Sequence, residues 1–198
     1  MKPAESIVEA YFRYCKRAFT KTNFRAVGQV ELDLIGVNHQ SKRPLFYHVE
    51  SSVSISGGFS KITTKPYSKK KVKERGKMAG QRRTAGFFIN EKFYSPNVMS
   101  TLKEAGCDPK NLERVLVAWD FEDEAQEILE KRKITCLKMK KIFQELAIEL
   151  AQETRDLDSD ILRTIQLFVR SNPELPPIKS VEAIRRQKRK ERLDKDKP

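Results

Sequence analysis

Two stretches decide how this chain folds: Val30–Gly36, reading VELDLIG, and Leu45–Ile55, reading LFYHVESSVSI. In the first, Val30, Leu32 and Leu34 alternate with Glu31 and Asp33. In the second, Leu45, Tyr47, Val49, Val53 and Ile55 point one way and Phe46, His48, Glu50, Ser52 and Ser54 the other, because side chains in a strand alternate with period two. The polar run from Asn38 to Pro44 separates them, so the two form an antiparallel hairpin. Paired strands lie about 4.8 Å apart, close enough for Asp33 and Glu50 to converge on one divalent cation. A hard ion such as Mg²⁺ (or Mn²⁺) suits one or two carboxylates, with waters and phosphate oxygens completing its shell. Two carboxylates on a solvated sheet face would give the same pattern.

Working outward, residues 4–19 have helical spacing through Ile7, Val8, Tyr11, Cys15 and Ala18. Ser68 is placed to cap a helix through Lys73, Met78 and Gln81. Ser95, Pro96 and Gly106 carry the start and stop signals of a further helix. The run RVLVAW (114–119) suits a buried strand, with Trp119 as core packing. Asp120 is placed to cap a helix over 122–132, and ITCLKM (134–139) reads as a strand parallel to the first. Helices over 140–152 and 159–170 follow. The expected organisation is an α/β domain over 1–152, a helical extension over 153–172, and a proline-rich linker with a basic tail over 173–198.

The net charge of +13 is concentrated. Residues 61–83 hold ten Lys/Arg against one Glu, and residues 179–198 hold nine against four acids, leaving a near-neutral remainder. Such segments accumulate at polyanions. In the first, Lys65, Lys69, Lys70, Lys71, Lys73, Arg75, Lys77, Arg82 and Arg83 are candidate phosphate contacts, and Phe59 and Tyr67 are near enough to stack on a base. The tail reads equally as a phosphate grip or a solvated tail. Cys15, Cys107 and Cys136 are odd in number and lack zinc spacing, so they are expected to be small core hydrophobes in a reducing, intracellular and cytoplasmic setting. The opening MKPAESIVEAYF has no signal-peptide apolar core, and no apolar run reaches membrane-spanning length.

The runs AESIVEAYF, NFRAVGQVELDLIGV and LFYHVESSVS together resemble the PD-(D/E)XK nuclease superfamily, most of all its small resolvase-like members. That pattern runs from a helix-borne Glu to G-E-I-D-L-I and then F-V-E-V-K. The resemblance covers residues 4–54 and implies a restriction-endonuclease-like αβββαβ core, with a mixed sheet flanked by helices and C-terminal helices beyond. It makes Asp33 and Glu50 the motif acids, Glu5 the first-helix acid with Glu9 as its rival, and Glu31 the Glu of G-E-I-D. It also shows a departure. Where the family has the catalytic lysine, this chain has Ser52, which donates a hydrogen bond but carries no charge to offset that gathering on phosphorus. Lys61, Lys65, Lys69 and Lys73 are downstream candidates to replace it. His48, on the face of Glu50, is a candidate ligand or base, or a histidine simply hydrogen-bonded at the edge of that face.

The expectation is therefore a metal-dependent nuclease acting on nucleic acid, DNA before RNA, with a homodimer possible by analogy. A binding module of the same fold without cleavage, and a basic protein-interaction domain, are the alternatives.

Overall fold

The computed structural model describes residues 3–25, 31–54, 60–67, 80–153, 157 and 159–172. The chain forms two compact units, Met1–Phe143 and Gln144–Pro198. The first is an α/β unit built on a mixed five-stranded sheet. Helix α1 (Pro3–Tyr14) leads into β1 (Phe19–Arg25), β2 (Glu31–Asn38) and β3 (Leu45–Ser52). Next come β4 (Lys61–Ile62), α2 (Ala85–Phe87, continuing as a π-helix over Phe88–Phe93) and α3 (Pro96–Glu104). Then follow β5 (Leu112–Ala118), β6 (Asp120–Phe121), α4 (Asp123–Lys131), β7 (Ile134–Lys138) and α5 (Met139–Gln152). The order across the sheet is β1-β2-β3-β5-β7, and β4 pairs with β6 separately.

The hairpin forms as its alternation requires, with β2 antiparallel to β3 in a register that sets Leu34 against Val49 and Ile35 against His48. The crossover β5-α4-β7 gives the parallel pair expected of a β-α-β run. Strand β3 lies between an antiparallel and a parallel neighbour. On it Tyr47 packs edge-to-face on Phe12 of α1 at 5.1 Å, and His48 packs on Phe93 of the π-helix at 4.9 Å. Adjacent strand residues point to opposite faces, so helices cover both sides of the sheet. The face expected to be polar is therefore interior at Glu50 and His48.

One core cluster unites Ile62, Phe88, Phe93, Leu116, Phe121 and Leu129 with neighbouring alanines and isoleucines. A second cluster joins Leu32 to Val98, Leu102 and Cys107. Helix α3 stops as its signals require, with Gly106 at φ +76°, where a side chain would be strained.

Three local expectations need correction, and a fourth lies mostly outside the described residues. The first helix ends at Tyr14, and Phe19–Arg25 is a strand; FTKTNFR has no apolar stripe because it lies at the sheet edge, where charge is tolerated. Asp120 does not cap α4. Glu122 occupies that position and accepts hydrogen bonds from Thr64 N and Oγ1 at 2.8 and 3.2 Å. Trp119 is not core: it is 40% exposed, one residue past the end of β5. The Ser68-capped helix lies outside the described residues except at its end, where Gln81–Arg83 form a 3-10 turn.

In the second unit, α6 (Asp160–Ser171) buries Leu162 and Val169 and leaves Leu167 and Phe168 exposed. Gln166 and Arg170 donate to the Glu153 carbonyl at 2.7 and 2.6 Å. No helix among the described residues is long and apolar enough to cross a membrane.

Candidate functional site

The hairpin ladder ends on the pair Leu34 and Val49, and Asp33 and Glu50 are the residues immediately beyond it. There Asp33 does with its side chain what a ladder carbonyl would otherwise do: Oδ2 accepts the Ser51 backbone N–H at 2.7 Å. Its carboxyl is pushed up from 3.8 to about 6, first by burial and then by the charge of Glu50. The Ser51 hydrogen bond and the Lys92 ammonium pull the other way, and Glu5 adds a further upward push. Glu5, Asp33, Glu50 and Lys92 therefore form one electrostatic group.

Glu50 is 1% exposed, and an ionised carboxylate at that depth needs partners. It has two. Lys92 Nζ lies 2.8 Å from Oε2, and His48 Nε2 lies 3.2 Å from Oε1. A carboxylate oxygen only accepts, so Nε2 carries the hydrogen; Nδ1 has no partner among the described residues. Lys92 also donates to the Glu31 carbonyl at 2.9 Å, bridging the two hairpin strands.

Lys92 was missed by sequence reasoning, which sought the displaced lysine among Lys61, Lys65, Lys69 and Lys73. A signal existed. Ala85, Phe88, Ile89 and Phe93 are buried at helical spacing, and Lys92 stands on that apolar stripe, where an unpaired ammonium would be costly. The surrounding turn is π-helical, a geometry that recurs at functional sites.

The other candidates are dispersed. Glu9 accepts from Thr20 Oγ1 at 2.9 Å, so between the rival helix acids it is Glu5 whose charge reaches Asp33. Ser52 gives its carbonyl to Arg83 Nη2 at 3.0 Å. Lys61 pairs with Asp120 at 3.3 Å. Lys65 and Arg82 are exposed. Lys69, Lys70, Lys71, Lys73, Arg75 and Lys77 lie outside the described residues, as does Phe59. Tyr67 donates its hydroxyl to the Lys61 carbonyl at 2.9 Å. Cys107 is buried, and Cys15 and Cys136 are half-buried.

Among the described residues, no three His, Cys, Asp or Glu side chains stand close enough to hold a metal ion together. The site offers two carboxylates instead. That donor set fits Mg²⁺ or Mn²⁺, which accept one or two carboxylates and take their remaining ligands from water and phosphate. Burial first and then the charge of Glu50 raise the Asp33 carboxyl, and a cation held between the two acids would offset that repulsion.

No protein-family model matches the chain, and comparison with curated proteins and with solved structures found no match.

Proposed function

We propose that this chain is a metal-dependent nuclease-like protein of restriction-endonuclease-like fold that binds nucleic acid, DNA in preference to RNA, and hydrolyses phosphodiester bonds. The observation that carries the reading is Lys92 Nζ at 2.8 Å from Glu50, beside Asp33. A lysine absent from position 52 is thereby supplied from the π-helix.

In hydrolysis a water oxygen adds to phosphorus, the bond to the leaving oxygen breaks, and that oxygen takes up a proton. Lys92 offers a fixed ammonium where negative charge gathers, already oriented by Glu50 and the Glu31 carbonyl. His48 holds the other Glu50 oxygen and so fixes the carboxylate plane. Asp33 is held in place at the end of the hairpin ladder by the Ser51 N–H. Mg²⁺ or Mn²⁺ held by Asp33 and Glu50 would supply Lewis-acid polarisation and lower the pKa of the attacking water.

The test incubates the protein with single-stranded, duplex and branched DNA and with RNA, adding Mg²⁺ or Mn²⁺. Wild-type protein is expected to cleave at least one, and Asp33→Asn, Glu50→Gln and Lys92→Met to bind without cleaving. Cleavage unaffected by these substitutions would sink the reading. Ser52 favours a second one, binding without cleavage, which tight binding under either metal with intact substrate would establish.

A further inference from the structure

The carboxyl edge of the parallel strands holds a second group, and a tryptophan stands at its centre. Ala118 has Lys138 as its partner on β7, and Asp120 has Lys61 as its partner on β4. Trp119 lies between them. Both ammonium groups close on the one Asp120 carboxylate, Lys138 at 2.7 Å and Lys61 at 3.3 Å, and they remain 50% and 55% exposed. The two lysines thus keep a net positive charge in solvent at the register positions on either side of Trp119, which is 40% exposed. Every other residue from Arg114 to Ala118 is buried, as is Phe121.

This edge adjoins the acidic site. Glu50 is the Cα partner of Leu116 and Ser52 that of Ala118. Counting rise per residue and strand spacing, Trp119 lies roughly 11 Å from Glu50, a span of about three stacked nucleotides. Arg83 Nη2 donates to the carbonyl of Ser52, the register partner of Ala118, at 3.0 Å. Sites for single-stranded nucleic acid combine a cationic track with an aromatic face on which an unpaired base stacks. A duplex keeps its bases stacked on one another and has nothing to offer the indole.

We propose that Trp119, set in register between Lys61 and Lys138, is a stacking platform for an unpaired base, so that the preferred substrate is single-stranded or carries a single-stranded segment leading into the acidic site. This rests on the nuclease-like reading above and adds the substrate class to it.

Trp119 is the chain's one tryptophan, so intrinsic fluorescence reports on it alone. The full chain is titrated with a short oligothymidylate and with a blunt duplex, at low salt in EDTA, following both fluorescence and the anisotropy of a labelled oligonucleotide. Binding of the single strand is expected to quench the indole. Trp119→Ala is expected to weaken single-strand binding about 5- to 100-fold, and Trp119→Phe to restore most of it, with duplex binding changing less than about twofold. Single-strand binding without quenching, or with wild-type affinity in Trp119→Ala, would overturn the proposal. If Mg²⁺-dependent cleavage then persists, the nuclease reading stands without it. Quenching with single-strand preference but no cleavage under either metal leaves the platform and removes the enzyme. Failure of both probes to show binding overturns both.

Discussion

Two lysine–carboxylate groups sit within a few residues of each other on β3 and β5 and their partners, and they are built in opposite proportions. At the end of the β2–β3 hairpin, Lys92 is the cation among the described residues whose charge acts on Asp33 beside those of Glu5 and Glu50. At the edge beyond β5, two lysines serve one carboxylate, Asp120. The first is interior and the second is in solvent, so the Asp33 carboxyl is pushed up to about 6 while that of Asp120 is held below its ordinary value, chiefly by the Lys138 hydrogen bond. The same two side-chain types therefore make an interior site that gathers carboxylates and a solvent-exposed one where two lysines meet one acid. A cation suits the first and a phosphate the second.

The largest expected effect separates the two kinds of lysine. Lys92→Met should lower the cleavage rate by about 10²–10³ and, by leaving Glu50 buried without its ammonium, cost about 3 kcal/mol of stability. Lys138→Met, tested beside it, should cost less than about 1 kcal/mol, since exposed pairs contribute little. Urea unfolding and a single-turnover cleavage assay measure both. Equal costs for the two lysines would erase the distinction drawn here.

A second prediction tests the charge excess through pH. Because the Asp33 carboxyl is raised when folded, it binds its proton more tightly in the native state. The resulting stability is present below pH 4 and lost as pH rises through about 6. Asp33→Asn keeps an acceptor for Ser51 N–H and has no charge to bury. It should therefore exceed wild type by about 1–2 kcal/mol near neutrality, after discounting for solvent screening. The two should converge in acid. Urea midpoints across this range give the answer, and a wild type more stable than Asp33→Asn at neutral pH would contradict it.

Smallest is Asp120→Asn. A depressed carboxyl stabilises above its unfolded pKa, and that contribution fades as pH falls through the lowered folded value. The loss at neutral pH should be less than about 1 kcal/mol and diminish further in salt. A larger or salt-independent loss would mean that the Lys61–Asp120–Lys138 group holds the edge together.

The hairpin was legible because apolar residues recur at every second position of VELDLIG and LFYHVESS. The burial of His48 and Glu50 was not, since the π-helix that covers their face lies some forty residues on. Helix α3, the β5-α4-β7 crossover and α5 were legible from their boundary signals and apolar runs. Strand β1 was not, since an edge strand needs no apolar stripe. Trp119 was misread because its hydrophobicity continues that of β5 while the chain is already leaving the sheet. Lys92 is the instructive case. It follows Glu50 by 42 residues, so no local motif holds both, and only its place on an apolar helical stripe gave it away.

The π-helical turn over Phe88–Phe93 has a consequence for which changes in chain length the protein tolerates. An α-helix advances about 100° per residue. Removing one residue from this turn would regularise it and swing Lys92 round the helix, away from Glu50, with no change to either side chain. The polar loop between β2 and β3 is under no such demand and can gain or lose residues while the hairpin keeps its register. Relatives that keep this chemistry should therefore vary in length after Asn38 and hold their length between Thr84 and Phe93.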